Sequence, residues 1–199
     1  MPDKERWEID VSHSRLGFSL RHIVVSEIHG WFGSWGGEML FDPEYIPRTQ
    51  IQVWIDVASI DTGSPERDAH LRSAEFLDAA RFPRAQFTST DVALRRDGEA
   101  GVTGRLQLHG TARPVDLDVA AQRTWVDDQG LMRAAYDVHA RVDRQAFGLH
   151  WNQDLDVGGI VVGDKVEIDA HIELVRTAAA DLSLRDPTAI DSVGAADAG

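Results

Sequence analysis

The feature that most constrains this chain is a two-residue hydrophobic alternation that returns along most of its length. Ile51, Val53, Ile55 and Val57 alternate with Gln52, Trp54 and Asp56, and Val115, Leu117 and Val119 alternate with Asp116 and Asp118. Tyr136, Val138, Ala140 and Val142 alternate with Asp137, His139 and Arg141, and Val166, Ile168, Ala170, Ile172 and Leu174 with Glu167, Asp169, His171 and Glu173. Leu16, Phe18 and Leu20 repeat the pattern early, as do Leu106 and Leu108 in the middle. Successive strand side chains point to opposite faces, so each segment carries one apolar and one polar face. Antiparallel sheets with one wetted face have this signature, whereas parallel strands read as unbroken apolar runs. Short turn signals between the segments, at Asp97-Gly98, His109-Gly110, Gly130 and Gly163-Asp164, also make neighbours antiparallel.

The alternation divides into about eight strands, near residues 6–11, 14–22, 29–41, 49–57, 84–95, 100–109, 112–126 with 130–143, and 164–176, the paired segments counting separately if both are full length. An amphipathic meander of this size closes on itself or leaves adhesive edges, so the expected fold is an all-β antiparallel barrel, with a two-sheet sandwich as the alternative. One excursion, residues 58–83, interrupts it. There Ser64 can cap a helix that begins at Pro65, with Glu66 and Asp68 in its positive first turn. Leu71, Ala74 and Leu77 would give that helix a narrow apolar stripe facing the barrel. The glycine-rich Gly33-Ser34-Trp35-Gly36-Gly37 suits a bulge or bend. The domain is expected to span residues 6–176. Residues 177–199, rich in Ala, Asp and Ser and without an aromatic residue, read as a disordered acidic tail.

Charge and chemistry then exclude whole classes. The 33 acidic against 20 basic residues give a net charge of −13, the wrong sign for a phosphate-binding surface, so no nucleic-acid partner is expected. An anionic membrane surface is disfavoured for the same reason. No apolar run approaches the roughly 18 residues of a helical span, so stable membrane insertion is not expected. With no cysteine there is no thiol nucleophile, zinc ribbon or disulfide frame. The opening Met-Pro-Asp-Lys-Glu-Arg leaves no room for an apolar signal core, which points to a cytoplasmic protein. No serine-elbow, phosphate-loop or dinucleotide fingerprint occurs. His139 and His171 stand on polar strand faces near Asp137, Asp169 and Glu173, but metalloenzyme spacings are absent and no metal is expected. The Arg67-Asp68-x-His70 cluster reads as an ionic network that locks the helix, and Asp143-Arg144 as a structural corner.

An ordered set of short motifs runs through the same stretch. Trp7-Glu8-Ile9-Asp10, His13-Ser14, Phe18, Arg21-His22, Gly30 and Phe32 open it. Ser59-Ile60, Thr62-Gly63, Arg67-Asp68, His70-Leu71-Arg72-Ser73, Phe76, Phe82-Pro83 and Phe87 form its centre. Gly104, Leu106, Gly110, Arg113-Pro114-Val115, Arg144, Phe147-Gly148-Leu149 and Val162-Gly163-Asp164 complete it. In this order, over about residues 6–176, the set resembles the YceI-like, polyisoprenoid-binding proteins. The resemblance implies an extended, lipocalin-like eight-stranded barrel that holds a long isoprenoid chain in its interior. Many relatives carry an export signal, which this chain does not show.

Eight strands enclose either a packed core or one slender ligand, and an apolar inner face suits both. With the resemblance, Phe18, Leu20, Ile55, Leu106, Leu108, Tyr136, Val138 and Ile168 become candidate wall residues. Phe32, Phe76, Phe82, Phe87, Phe147 and Trp151 would shape the tunnel or its mouth, and His22 could meet a head group. The function this implies is non-catalytic binding, transport or sequestration of a long isoprenoid or quinone-like lipid, with no cofactor. Two rivals stand beside it: a filled barrel that acts as an interaction module, and an enzyme on a lipophilic substrate using His22 or His70. Trp54, on the polar face of its strand, is either a half-covered surface aromatic or a homodimer contact.

Overall fold

The computed structural model of the 199-residue chain describes residues 4–22, 26–96, 98–152 and 162–177, and the backbone alone of His22. The strands are β1 (Glu5–Ile9), β2 (Arg15–His22), β3 (Ser26–Phe32), β4 (Trp35–Phe41), β5 (Gln50–Asp56), β6 (Ile60–Asp61), β7 (Arg84–Leu94), β8 (Glu99–Leu108), β9 (Thr111–Val126), β10 (Met132–Asp143) and β11 (Val162–Thr177). One α-helix, α1 (Pro65–Arg72), follows β6. Among the described residues no helix is long and apolar enough to cross a membrane.

Pairing reduces these pieces to eight continuous strands. β1 and β2 both lie along β11, opposite residues 174–177 and 162–171, so they are one strand interrupted at residues 10–14. The Asp10 N–H donates to the Glu173 carbonyl and the Ser14 hydroxyl accepts from the Glu173 N–H, which carries the ladder across the break. β3 and β4 run beside β2 and β1 as a second interrupted strand, bent at Gly33-Ser34. β5 and β6 form a third, broken by the 3₁₀ turn Val57–Ser59. From there each strand is antiparallel to its neighbours in sequence, and β11 closes the ring against β10 on one side and β1–β2 on the other. The barrel is closed and runs up and down, as the alternation implied.

Several local expectations need correction. The segments near 6–11 and 14–22 are one strand and not two, while 112–126 and 130–143, left open by the alternation, are both full length and count separately. Gly163-Asp164 is not a turn. It lies inside β11, where the Gly163 carbonyl accepts from Arg144 Nε. The helix stops at Arg72 because Ser73 is extended and its hydroxyl donates to the His70 carbonyl. Ala74 and Leu77 therefore follow the helix, although Leu77 is still buried against the barrel. The His109-Gly110 turn is as expected: both residues have positive φ, joining Leu108 to Thr111 in a two-residue hairpin.

The interior is filled unevenly. At the end away from α1, Trp7, Ala134 and Leu174 pack with Met39, Tyr136 and Ile172. Across the middle, Leu16, Trp35 and Ala170 form one buried group and Phe87, Val92 and Val102 another. At the α1 end, Val57, Ile60, Leu77, Phe147 and Leu149 gather where the excursion and the 3₁₀ turn Arg144–Phe147 meet the barrel.

Candidate functional site

A cavity of about 450 Å³ opens at the α1 end of the barrel. Its walls are the inward-facing positions of seven of the eight continuous strands: Phe18 and Leu20 of β2, Ile28 and Phe32 of β3, Ile55 and Ile60 of β5–β6, Ala85 of β7, Leu106 and Leu108 of β8, then Val142 of β10 and Val162, Val166 and Ile168 of β11. Ala85 and the three valines are short, and they leave the space that larger residues would fill. Glu66, Arg67, His70 and Leu71 of α1, together with Phe76 and Leu77, reach it from above, and Arg144, Leu149 and Trp151 from the segment between β10 and β11.

The residues around the mouth are held by an internal network. Ser64 caps α1 by accepting from the Arg67 N–H. The buried Asp68 carboxylate accepts from the Thr62 N–H at 2.9 Å and the Thr62 hydroxyl at 2.6 Å. Arg67 donates to the Thr62 hydroxyl and carbonyl, and Arg72 donates to the carbonyls of Ala58 and Ile60. The helix is thereby latched to β6 through its own charged residues. Arg144, also buried, donates to the carbonyls of Leu149, Trp151, Val162 and Gly163 and to the Asp164 carboxylate. Burial pulls its pKa down and the neighbouring Asp164 and Asp143 oppose this. His70 stands edge-on to Trp151 at 4.6 Å and to Phe76 at 6.2 Å, with Nε2 3.3 Å from a Glu75 carboxylate oxygen.

Of the residues singled out in the sequence, Phe18, Leu20, Phe32, Ile55, Phe76, Leu106, Leu108, Trp151 and Ile168 meet on this cavity. Five others stand off it. Phe82 packs edge-on against His109 at 4.8 Å and covers Gly110, bracing the β8–β9 turn. Phe87 lies in the buried middle, its ring over Gly104, where a Cβ would come within 2.3 Å of it. Tyr136 packs at the far end with Trp7 and Leu174, where burial pushes its hydroxyl pKa up. Val138 packs with Leu16, Trp35 and Ala170, and Phe147 is fully buried under the 3₁₀ turn. The two-residue period assigns a face but not a height along the barrel, and height separates Phe87, Tyr136 and Val138 from the rest, whereas Phe82 and Phe147 lie outside the strands. The His22 side chain and residues 178–199 lie outside the described residues.

The sequence missed Ile28, Ile60, Ala85, Val142, Val162 and Val166 as wall residues, and it read Arg67 and Arg144 for structure alone and His70 for structure or, in the enzyme alternative, as an acid or base. Val142 and Val166 sat in the alternating runs and could have been found. Ala85 and Ile60 carry no signal until the strands are paired.

Two polar clusters outside the cavity are already neutralised. Asp10, His13 and Glu173 bring ligating atoms within 4.8 Å of one another, but Arg133 pairs with both carboxylates. On the outer face His139 bonds Asp169 at 2.9 Å and His171 bonds Asp137 at 2.5 Å, as their cross-strand register dictates. Trp54 lies over Gly36, with the Arg84 guanidinium 5.7 Å from its ring, a half-covered surface position.

A family profile described as a YceI-like domain matches residues 7–174. A UPF0312 protein of Vibrio cholerae is 33% identical over 167 residues, covering 83% of each chain. Protein YceI of Salmonella newport is 36% identical over 137 residues, covering 69% of this chain and 71% of its own. Among solved structures, BcnA of Burkholderia cenocepacia superposes with a TM-score of 0.72 at 24% identity, covering 83% of this chain and 98% of its own. A polyisoprenoid binding domain from Saccharophagus degradans, implicated in plant cell wall breakdown, does so with a TM-score of 0.63 at 17% identity, covering 86% and 98%.

Proposed function

The chain belongs to the YceI-like domain family, and from that premise we propose that it binds and sequesters an apolar, isoprenoid-type chain inside its barrel without catalysing a reaction on it. The observation that carries this reading is the cavity itself. Its strand-borne walls are wholly apolar, and its four charged or polar lining residues, Glu66, Arg67, His70 and Arg144, come from α1 and the β10–β11 segment. A solved structure of the same fold is named as a polyisoprenoid binding domain, which supports the same ligand class here.

The physics of such a site needs no reacting group. Removing a methylene from water is worth about 0.8 kcal/mol, so a chain of fifteen carbons gains on the order of 10 kcal/mol before the cost of ordering it. Arg67 and Arg144 spend their hydrogen bonds on Thr62 and on backbone carbonyls, which fits groups that shape a mouth better than groups that turn over a substrate. The chain would enter between α1 and the stretch from Arg144 to Trp151, with any polar end left at that rim.

Native mass spectrometry of protein purified from its own source without detergent, followed by solvent extraction, tests this. A discrete adduct released as an isoprenoid or isoprenoid quinone is the expected result. A bare chain that also refuses added prenyl alcohols would overturn it and turn attention to the barrel's outer surface.

A further inference from the structure

The cavity does not run the length of the barrel. On β11 its wall extends from Val162 to Ile168, six steps that span at most about 20 Å, in a strand of 16 residues. Below Ile168 and Phe18 the next inward positions of those strands are Ala170 and Leu16, and both are buried. Trp35 is buried in one cluster with that pair, against which Phe32, Ile55 and Ile168 of the wall also pack, and it is the cross-strand partner of Ile55, so it borders the cavity on that side. Phe87 does the same from the other side, packing against Leu106 and Val53. Its ring can lean there because Gly104, two residues along β8 from its cross-strand partner Leu106, has no side chain. Both rings are buried, at 6% and 7% exposure, whereas the wall residues Leu20, Phe32, Ile55, Leu106 and Ile168 keep part of their surface accessible.

We infer that Trp35 and Phe87 form a floor that sets the length of the bound chain, and that this protein takes short prenyl chains of about fifteen to twenty carbons in preference to long polyprenyl chains. The inference rests on the proposed function and narrows it. A volume of about 450 Å³ lies in the lower half of the range that encloses a drug-sized molecule, and a depth of at most about 20 Å suits an extended chain of that size. A longer chain has to uncoil from its own compact form in water to thread one end while its remaining carbons stay exposed, which costs affinity, or displace two packed aromatic rings.

The test is direct competition. The full chain is offered an equimolar mixture of prenyl alcohols of ten, fifteen, twenty and forty carbons, and the complexes are counted by native mass spectrometry. Affinity should rise to fifteen or twenty carbons and fall by about tenfold or more at forty. Trp35→Leu and Phe87→Leu should each move the preference toward the longer chains, with circular dichroism confirming that the barrel persists. Equal or tighter binding of the forty-carbon chain to the unaltered protein would overturn the floor and leave the proposed function standing. Binding of none of the four would overturn both. A folded floor variant with an unchanged length profile would overturn the assignment to that residue.

Discussion

At the scale of single residues, the outcome turns on charged groups whose partners are chosen by folding. Asp68 shows it best. The sequence places it in the first turn of a helix, where a carboxylate is ordinarily solvated, yet here it is 5% exposed and accepts two hydrogen bonds from Thr62. Asp68→Ala should strand the Thr62 N–H and hydroxyl and cost about 2–3 kcal/mol, read as a lower denaturant midpoint with an unchanged slope. Asp68→Asn keeps one acceptor oxygen and should lose less. Gly104→Val is the complementary case, since its side chain would meet the Phe87 ring and the Thr88 carbonyl well inside contact distance. Overpacking of this kind should cost about 1–3 kcal/mol, checked by the same unfolding curve.

Among elements, the least legible feature is how the β9–β10 hairpin is tied to the break between β1 and β2. Arg133 of β10 donates to Asp127 in the hairpin turn at 2.6 Å and to Asp10 at 2.8 Å, and pairs with Glu173 of β11. Burial would raise the Asp10 pKa, but hydrogen bonds from Ser12, Arg133 and His13 outweigh it and hold the carboxyl well below the usual range. Asp127 is lowered too, by Arg133 first and then the Leu131 N–H. A carboxyl depressed in the folded state contributes stability in full above its unfolded pKa of about 4, and that contribution drains away as pH falls through the folded value. Stability should therefore decline below about pH 4, and Arg133→Met should flatten this acid limb while lowering stability at neutral pH. Urea midpoints measured between pH 2 and pH 7 would decide it. An unaltered acid limb in the variant would remove Arg133 from the account. The helix, by contrast, was legible at its start, where Ser64 and Pro65 have local roles, but not at its end, which depends on where Ser73 can turn.

For the whole molecule, the barrel and its hollow are separate outcomes. A ligand that binds only the folded state at a hundred times its Kd should add about 2.7 kcal/mol, so a farnesyl-length alcohol should raise the melting temperature of the delipidated chain measurably. Ile168→Glu, which puts a carboxylate on the cavity wall, should abolish that rise while the strands still form. The sequence by itself determined an antiparallel sheet, the inward face of each strand, the short turn at His109-Gly110 and the start of the helix on the excursion. Each follows from interactions between residues near one another in the chain: the two-residue pleat, a turn's φ, a cap. Only the tertiary structure decided which inward residues face space and which face each other. Phe18 and Phe87 are alike in type and in facing inward, yet one lines the cavity and the other lies in the buried middle beneath it. Strand register and tilt set the height of each side chain in the barrel, and that is a property of all eight strands closed together.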